Sequence, residues 1–192
     1  MHHKKASYYM VNGITLYRII TAPLLLALIF LKHPDIFKWL LACSFFTDAI
    51  DGYLARKYKV TSLLGARLDS IGDDLTVFVG LVGIIMFHPE FIKREIIVVL
   101  ALFGLFIIQV SFALIKYGKI TTFHTYAAKV AAVSQGAFLI LTFFLDQPVS
   151  GLFYLAALCT AYDLVEEIIL VYLLPRWEAN VKGLFWLRRN NQ

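Results

Sequence analysis

Six long apolar runs constrain this chain more than any other feature of its sequence. Each is close to the length of about 20 residues that a helix needs to cross a bilayer. The runs are approximately residues 13–31, 36–56, 66–87, 95–116, 126–145 and 150–174. Of the 192 residues, 60% are hydrophobic and 16% are charged, whereas about a quarter of the residues in a soluble domain are charged. The sequence therefore predicts an all-α integral membrane protein with six transmembrane helices.

Turn residues and charges separate these runs, as in Lys32-His-Pro34-Asp35 and Asp146-Gln-Pro148. The tail at 175–192 contains Trp177 and Trp186, which favours a segment lying at the membrane interface. No linker is long enough to separate a second domain. We therefore expect a single membrane domain over residues 1–192, with a polar cavity that opens to the cytoplasm.

The basic residues predict the orientation of the helices. One side of the predicted bilayer holds only Lys32, Lys38, Lys93 and Arg94. The termini and the connections on the other side hold Lys4, Lys5, Arg56, Lys57, Lys59, Arg67, Lys116, Lys119, Lys129, Arg176, Lys182, Arg188 and Arg189. The positive-inside rule places the second side, with both termini, in the cytoplasm. The formal net charge of +5 then reflects topology, and no basic stripe on a polar element indicates nucleic-acid binding.

Four aspartates interrupt the second and third apolar runs. Asp48 and Asp51 are three residues apart, and Asp69 and Asp73 are four apart, so each pair shares one helix face. The second helix ends at the cytoplasm and the third begins there, so both pairs are expected just inside the cytoplasmic face. Ionised groups within apolar segments are costly, and such a cluster indicates a functional site.

A divalent cation resolves the repulsion between four carboxylates. Mg²⁺ or Mn²⁺ prefers carboxylate oxygens and accepts phosphate oxygens as further ligands. The cluster does not suit zinc, because no histidine lies near it in the sequence. Gly52, Ala55 and Gly65 keep the faces small, and Arg56 stands at the mouth. The pattern favours a slot for a metal-bound pyrophosphate. The structural alternative, a helix-packing network, leaves excess negative charge even when Arg56 and Arg67 are counted.

The pattern DxxDGxxAR, followed by eight residues and GxxxDxxxD, resembles the signature of the CDP-alcohol phosphotransferase family, with every position matched. The resemblance covers essentially the whole chain. It implies transfer of a substituted phosphate from a CDP-linked lipid such as CDP-diacylglycerol to a small polar alcohol, with release of CMP, by a homodimer. It also implies roles for individual residues. Asp48, Asp51, Asp69 and Asp73 would bind the metal, Asp73 would also act as general base, and Gly52, Ala55, Arg56 and Gly65 would bind the CDP donor.

Asn12, Thr15 and Arg18 form an Asn-x-x-Thr-x-x-Arg run near the cytoplasmic end of the first helix. A similar run lines the nucleotide side in the family, which implies donor binding by Asn12 and Thr15. The structural alternative is an N-cap at Asn12 and simple packing at Thr15. Arg18 lies within a spanning helix and is expected to need an anionic partner, so we predict that it helps to bind the acceptor.

The connection between the fourth and fifth helices brings Lys116, Lys119 and Lys129 to the cytoplasmic side. A phosphorylated acceptor needs cations of this kind, and we predict that these three lysines bind it. The alternative is that these lysines only set the membrane topology and lie near lipid phosphates. On the sixth helix, Asp163, Glu166 and Glu167 are expected either to form salt bridges with Arg18 or Lys129, or to bind a cationic or polyhydroxylated acceptor.

The sequence leaves the acceptor alcohol open. Arg94-Glu-Ile96 and Gly118-Lys119 resemble runs in phosphatidylglycerophosphate synthases, which favours glycerol 3-phosphate. Thr121 and Asp74 depart from those enzymes, which carry lysines there. Phosphatidylinositol-phosphate synthase is the alternative within the family, because Gly65-Ala-x-Leu-Asp69-Ser resembles its corresponding run. Outside the family, an intramembrane prenyltransferase would need more helices, and a divalent-cation transporter would need acids continuing across the bilayer.

Overall fold

Seven helices make up the described part of the chain. The computed structural model describes residues 17, 19–58, 63–119, 123, 125–145, 147–178 and 181–190, and it gives the backbone without the side chains at 48, 49, 51–58, 63–71, 73, 74 and 188–190. The helices are α1 (Ile19–Phe30), α2 (Pro34–Tyr58), α3 (Leu63–Phe87), α4 (Pro89–Tyr117), α5 (Tyr126–Phe144), α6 (Ser150–Leu173) and α7 (Leu184–Asn190). No strand occurs within these ranges, so the described fold is all-α.

Helix α4 begins earlier than the sequence suggested. Residues 88–94 were expected to form a polar connection, but only His88 separates α3 from α4, which begins at Pro89. Proline has no N–H to leave unpaired and suits the first helical position. Glu90 in the first turn complements the helix dipole, and its carboxylate accepts a hydrogen bond from Lys93 at 2.9 Å. Polar composition alone therefore does not mark a break here.

The chain divides into two compact units. The first comprises Met1–Pro89 with Leu139–Gln147, and the second comprises Glu90–Phe138 with Pro148–Gln192. In the first unit, the side chains of Ile29, Phe37 and Leu41 are fully buried in one core. The Phe37 ring packs against those of Phe87 and Phe143, with centroids 5.6 and 4.9 Å apart. This core fixes α2 against α3.

One buried stripe on each of α2 and α3 forms their contact. On α2 the stripe follows positions 37, 41 and 44, and on α3 it follows 72, 76, 79 and 83, all of them buried or closely packed. Alternating steps of four and three residues keep a stripe on one helix face. A Cβ placed on Gly83 would lie 2.8 Å from Cζ of Phe37. Gly83, near the end of α3, is thus level with Phe37, near the start of α2.

Gly83→Ala is expected to destabilise the first unit. The added methyl group would overlap Phe37 and would also lie 2.9 Å from Cζ of Phe143. The Phe37 ring is fully buried against the rings of Phe87 and Phe143, so these rings must shift to admit the methyl group. Overpacking of this kind costs about 1–3 kcal/mol, so the thermal unfolding midpoint in detergent should fall by several degrees. Gly104→Ala is the matched control, because no side chain or other segment beyond the adjacent residues and the local helix backbone lies within 4 Å of the new Cβ. Equal unfolding midpoints for the two variants would contradict the packing described here.

Two clusters organise the second unit. The rings of Phe91, Phe138 and Phe153 pack together with centroids 5.2–6.1 Å apart. At the other end of α4, Ala113 belongs to a buried cluster with Leu170 of α6. The other buried members of that cluster are Phe123, Val171, Leu174 and Val181. The second cluster joins the α4–α5 connection, the end of α6 and the chain before α7.

Two helices in the described ranges, α4 and α5, are long and apolar enough to cross a bilayer. Most of the apolar stretch of α4 is exposed rather than buried within the protein. Ile97 and Ile115, for example, are 79% and 83% exposed. An apolar surface of this extent is unusual in a soluble monomer. The helices therefore indicate a membrane protein.

Candidate functional site

The predicted metal ligands lie on the two helices that pack together in the first unit. Asp48 and Asp51 are in the second half of α2, and Asp69 and Asp73 are in the first half of α3. The predicted donor-binding positions share these helices, with Gly52, Ala55 and Arg56 on α2 and Gly65 on α3. The structure gives the backbone alone at these eight positions. Their roles as ligands and donor contacts stay predictions.

The buried stripes of α2 and α3 lead to these positions. Beyond 44 on α2, the same four-three spacing reaches 48, 51 and 55; before 72 on α3, it reaches 69 and 65. Asp51 comes 14 residues after Phe37, and Asp69 comes 14 residues before Gly83. At about 1.5 Å per residue, both are about 21 Å from the Phe37–Gly83 contact. Straight antiparallel helices would therefore bring positions 51 and 69 to one level, as they would positions 55 and 65.

Three hydroxyl side chains next to this region were not singled out from the sequence. Thr76 donates a hydrogen bond to the carbonyl oxygen of Gly72 at 2.8 Å, and Thr47 donates to that of Ser44 at 2.9 Å. The Ser44 hydroxyl is buried and has no hydrogen-bond partner among the described residues. Ser44 and Thr76 belong to the same two stripes, and they lie between the aspartates and the contact of Phe37 with Gly83. Their spacing from the aspartates was the signal that could have identified them.

Three of the predicted site residues lie outside the described residues. These are Asn12 and Thr15, expected at the donor, and Arg18, expected at the acceptor. Their roles stay predictions.

The three predicted acceptor lysines have different surroundings. Lys116 donates hydrogen bonds to the carbonyl oxygens of Val171 and Tyr172, at 2.8 and 2.9 Å, and so caps the end of α6. The ammonium group of Lys119 lies 4.1 Å from the centre of the Trp177 ring, and that of Lys129 lies 5.2 Å from the centre of the Tyr126 ring. Lys116 thus has a structural role, while Lys119 and Lys129 make cation–π contacts and are exposed.

The two buried glutamates of α6 bond to backbone amides. Glu167 accepts hydrogen bonds from the Phe123 N–H at 3.0 Å and from Nε2 of Gln109 at 2.7 Å. Glu166 accepts one from the Leu184 N–H at 3.0 Å. Within the described ranges neither pairs with Lys129, which the sequence had suggested as a partner. Glu166 and Glu167 therefore fasten other chain segments to α6.

Gly183 meets a steric requirement beside Glu166. Its φ angle is +137°, and a Cβ there would lie 3.0 Å from Oε1 of Glu166. Only glycine fits this backbone conformation and this contact without strain. The chain before α7 is therefore held against α6.

No group of three or more histidine, cysteine or acidic side chains in the described part of the chain is arranged to hold a metal ion. The acids of α6 do not form such a site. The paired aspartates of α2 and α3 remain the candidate, because four carboxylates with no histidine or cysteine make a donor set that fits Mg²⁺ or Mn²⁺.

The fold and the motif define an all-helical protein of membrane type with paired aspartates on two neighbouring helices. Residues 8–165 match the CDP-alcohol phosphatidyltransferase family. The match covers most of the chain, so the protein belongs to this family. This confirms the family suggested by the spacing of the motif.

The relatives fall into two acceptor classes. The chain is 44% identical over 66 residues to the CDP-diacylglycerol–inositol 3-phosphatidyltransferase of Saccharomyces cerevisiae, covering 34% of this chain and 30% of that protein. It is 34% identical over 97 residues to the CDP-diacylglycerol–glycerol-3-phosphate 3-phosphatidyltransferase of Haemophilus influenzae, covering 44% and 52%. A protein of the same description from Rickettsia typhi is 29% identical over 162 residues, covering 83% and 85%.

The chain thus matches about half or less of the length of the first two relatives, and most of the length of the third. No solved structure matches it significantly.

Proposed function

We propose that this chain is a metal-dependent phosphatidyltransferase that moves the phosphatidyl group of CDP-diacylglycerol to a small alcohol and releases CMP. The observation that carries the proposal is the complete motif, whose two pairs of aspartates lie on α2 and α3, the helices that pack together in the first unit. Family membership and the names of the relatives support the same reaction.

Each residue of the motif has a defined task in this reaction. Mg²⁺ or Mn²⁺, when held by the four aspartates, would neutralise the pyrophosphate and the departing CMP. Asp73 takes the proton from the acceptor hydroxyl. The acceptor oxygen then forms a bond to the phosphorus that carries diacylglycerol, and the bond from that phosphorus to the CMP oxygen breaks. The proton ends on Asp73 and the electron pair on CMP.

The donor and the acceptor need different residues. Gly52, Ala55 and Gly65 leave room for the CDP group, while Arg56, Asn12 and Thr15 contact it. Arg18, Lys119 and Lys129 attract the phosphate of the acceptor. Lys116 contributes positive charge while it caps α6.

The membrane arrangement is part of the proposal. Six spanning helices with both termini in the cytoplasm would present the site to soluble CMP and acceptor, while the lipid tails stay in the bilayer. Two helices with the apolar character of spans support this arrangement. We also propose that the protein acts as a homodimer.

Glycerol 3-phosphate is the proposed acceptor. The relatives of Haemophilus influenzae and Rickettsia typhi are both described as glycerol-3-phosphate 3-phosphatidyltransferases, and the second match covers most of both chains. An inositol acceptor, free or phosphorylated, is the second candidate, because the yeast relative shares 44% identity over 66 residues.

A panel of acceptors tests this assignment. The purified protein is incubated in detergent with CDP-diacylglycerol, Mg²⁺ or Mn²⁺, and either glycerol 3-phosphate, inositol, inositol phosphate or serine. Chromatography then identifies the lipid product. We expect phosphatidylglycerophosphate as the main product. It should form at least about tenfold faster than the products from inositol and serine, because a phosphate-binding site disfavours acceptors without phosphate. A faster reaction with inositol phosphate would identify inositol phosphate, and not glycerol 3-phosphate, as the acceptor.

A divalent-cation transporter is the alternative from outside this class that the sequence left open, and the family match favours the transferase over it. Proteoliposomes with an internal Mn²⁺ indicator separate it from the enzyme. Mn²⁺ uptake without CMP release would establish the transporter, and CMP release without uptake would support the transferase.

A further inference from the structure

Glu167 connects three separate segments of the second unit through one buried carboxylate. Its side chain lies near the end of α6 and the residue is 7% exposed. One carboxylate oxygen accepts from Gln109 of α4, which is 2% exposed. The other accepts from the backbone of Phe123, in the connection between α4 and α5. A buried carboxyl group that accepts hydrogen bonds from two segments fastens both of them to α6.

The connection is held on both sides of the Phe123 contact. Before it, Tyr117 at the end of α4 donates a hydrogen bond to the carbonyl oxygen of Leu174 at 2.8 Å. After it, the hydroxyl of Thr125 accepts a hydrogen bond from the N–H of Ala128 at 3.0 Å and begins α5. Between these two ends, Glu167 holds the amide of Phe123, beside the contact of Asp163 on α6 with the side chain of Thr125.

Two exposed cations flank the contact of Glu167 with Phe123. Lys119 stands four residues before Phe123, and Lys129 stands in the first turn of α5. Neither forms an ion pair within the described ranges. The position of both ammonium groups relative to α6 depends on how the connection is held.

We propose that Glu167 is a positioning residue for acceptor binding, because it fixes the connection that carries Lys119 and Lys129. The proposal rests on the proposed function, in which these lysines bind the phosphate of the acceptor. Glu167 acts through the backbone of Phe123 and does not itself contact the substrate.

Two substitutions distinguish the effect of the length of the Glu167 side chain from the effect of its charge. Glu167→Asp keeps the charge but shortens the side chain by one methylene, so it cannot maintain contacts at 2.7 and 3.0 Å with two segments. Glu167→Gln removes the charge but keeps the reach. Its amide oxygen can still accept from the N–H of Phe123, which is the contact that holds the connection.

Steady-state kinetics and amide exchange test the proposal together. CMP release by the full chain is measured with varied glycerol 3-phosphate and with varied CDP-diacylglycerol. Hydrogen–deuterium exchange is followed in peptides that cover residues 118–125. Gln135→Asn is the matched control, because it shortens by one methylene a side chain that bonds α5 to Thr160 of α6 at 2.7 Å.

The expected result is selective for the acceptor. Glu167→Asp should raise KM for glycerol 3-phosphate about tenfold, since loss of one buried hydrogen bond costs about that factor. KM for CDP-diacylglycerol should stay within about twofold, and exchange at 118–125 should accelerate. Glu167→Gln should remain close to wild type in both readouts, and Gln135→Asn should change neither.

Three results would overturn the proposal. The first is unchanged exchange at 118–125 in Glu167→Asp. The second is faster exchange with an unchanged KM for the acceptor. The third is an equal rise in KM for both substrates, which would indicate general destabilisation. Wild-type protein that releases no CMP with any acceptor would reject the proposed function itself, and the role in acceptor binding with it. The exchange data would then still report whether Glu167 holds the connection.

Discussion

Asp73→Asn is expected to lower kcat for CMP release by about 10²–10⁴-fold, the usual contribution of a positioned general base. Asparagine has nearly the same size but cannot take the proton of the acceptor hydroxyl. KM for CDP-diacylglycerol should change much less than kcat, because Asp48, Asp51 and Asp69 would still hold the metal. The measurement is CMP release by purified protein under saturating acceptor.

Asp74→Asn is the matched control for this variant. The two aspartates are adjacent on α3, but position 74 lies about 100° further round the helix. It therefore falls outside the spacing that joins positions 65, 69 and 73. The control should retain activity within about threefold, since it leaves the proposed base in place. Equal losses in both variants would contradict the assignment of Asp73 as the base.

Removal of divalent metal is expected to abolish CMP release. Without a cation, the four carboxylates would repel both one another and the pyrophosphate of the donor, so activity should fall by at least about 100-fold in excess EDTA. Mg²⁺ or Mn²⁺ should restore it.

Binding of Mn²⁺, followed by electron paramagnetic resonance, gives a second readout that does not depend on turnover. The double variant Asp48→Asn, Asp69→Asn should bind Mn²⁺ at least about tenfold more weakly than wild type. The double variant Glu166→Gln, Glu167→Gln should bind it as wild type does, because those side chains bond to protein amides. Full activity in EDTA, or loss of Mn²⁺ binding only in the α6 variant, would contradict the proposed metal site.

The helical character of the fold follows directly from the apolar runs. Runs of about 20 apolar residues predict helices wherever they occur, and the structure has helices in the described part of each run. The start of α4 was less predictable. The polar residues from His88 to Arg94 suggested a break, but Pro89 and Glu90 are favourable in a first helical turn.

The packing of α2 on α3 shows what local spacing can and cannot predict. The spacing of the aspartates predicted shared faces on each helix. Their common level depends on the contact of Phe37 with Gly83, which are 46 positions apart in sequence and meet through tertiary packing. No local pattern predicts that contact.

The roles of the α6 acids were not predictable from composition. Intramembrane acids usually find basic partners, which suggested Arg18 or Lys129 for Asp163, Glu166 and Glu167. The structure instead pairs Glu167 with the amide of Phe123, 44 residues earlier, and with Gln109. Backbone amides are present at every residue except proline, so the sequence does not show which of them a buried carboxylate will bind.

CMP release from CDP-diacylglycerol is the most direct test of the central claim. The purified full chain in detergent, with Mn²⁺ or Mg²⁺, is assayed with and without glycerol 3-phosphate, beside Asp73→Asn. The account predicts CMP formation that requires both the metal and the acceptor, an equal molar yield of phosphatidylglycerophosphate, and near-complete loss in the variant. No CMP with any acceptor, or wild-type turnover by Asp73→Asn, would contradict it.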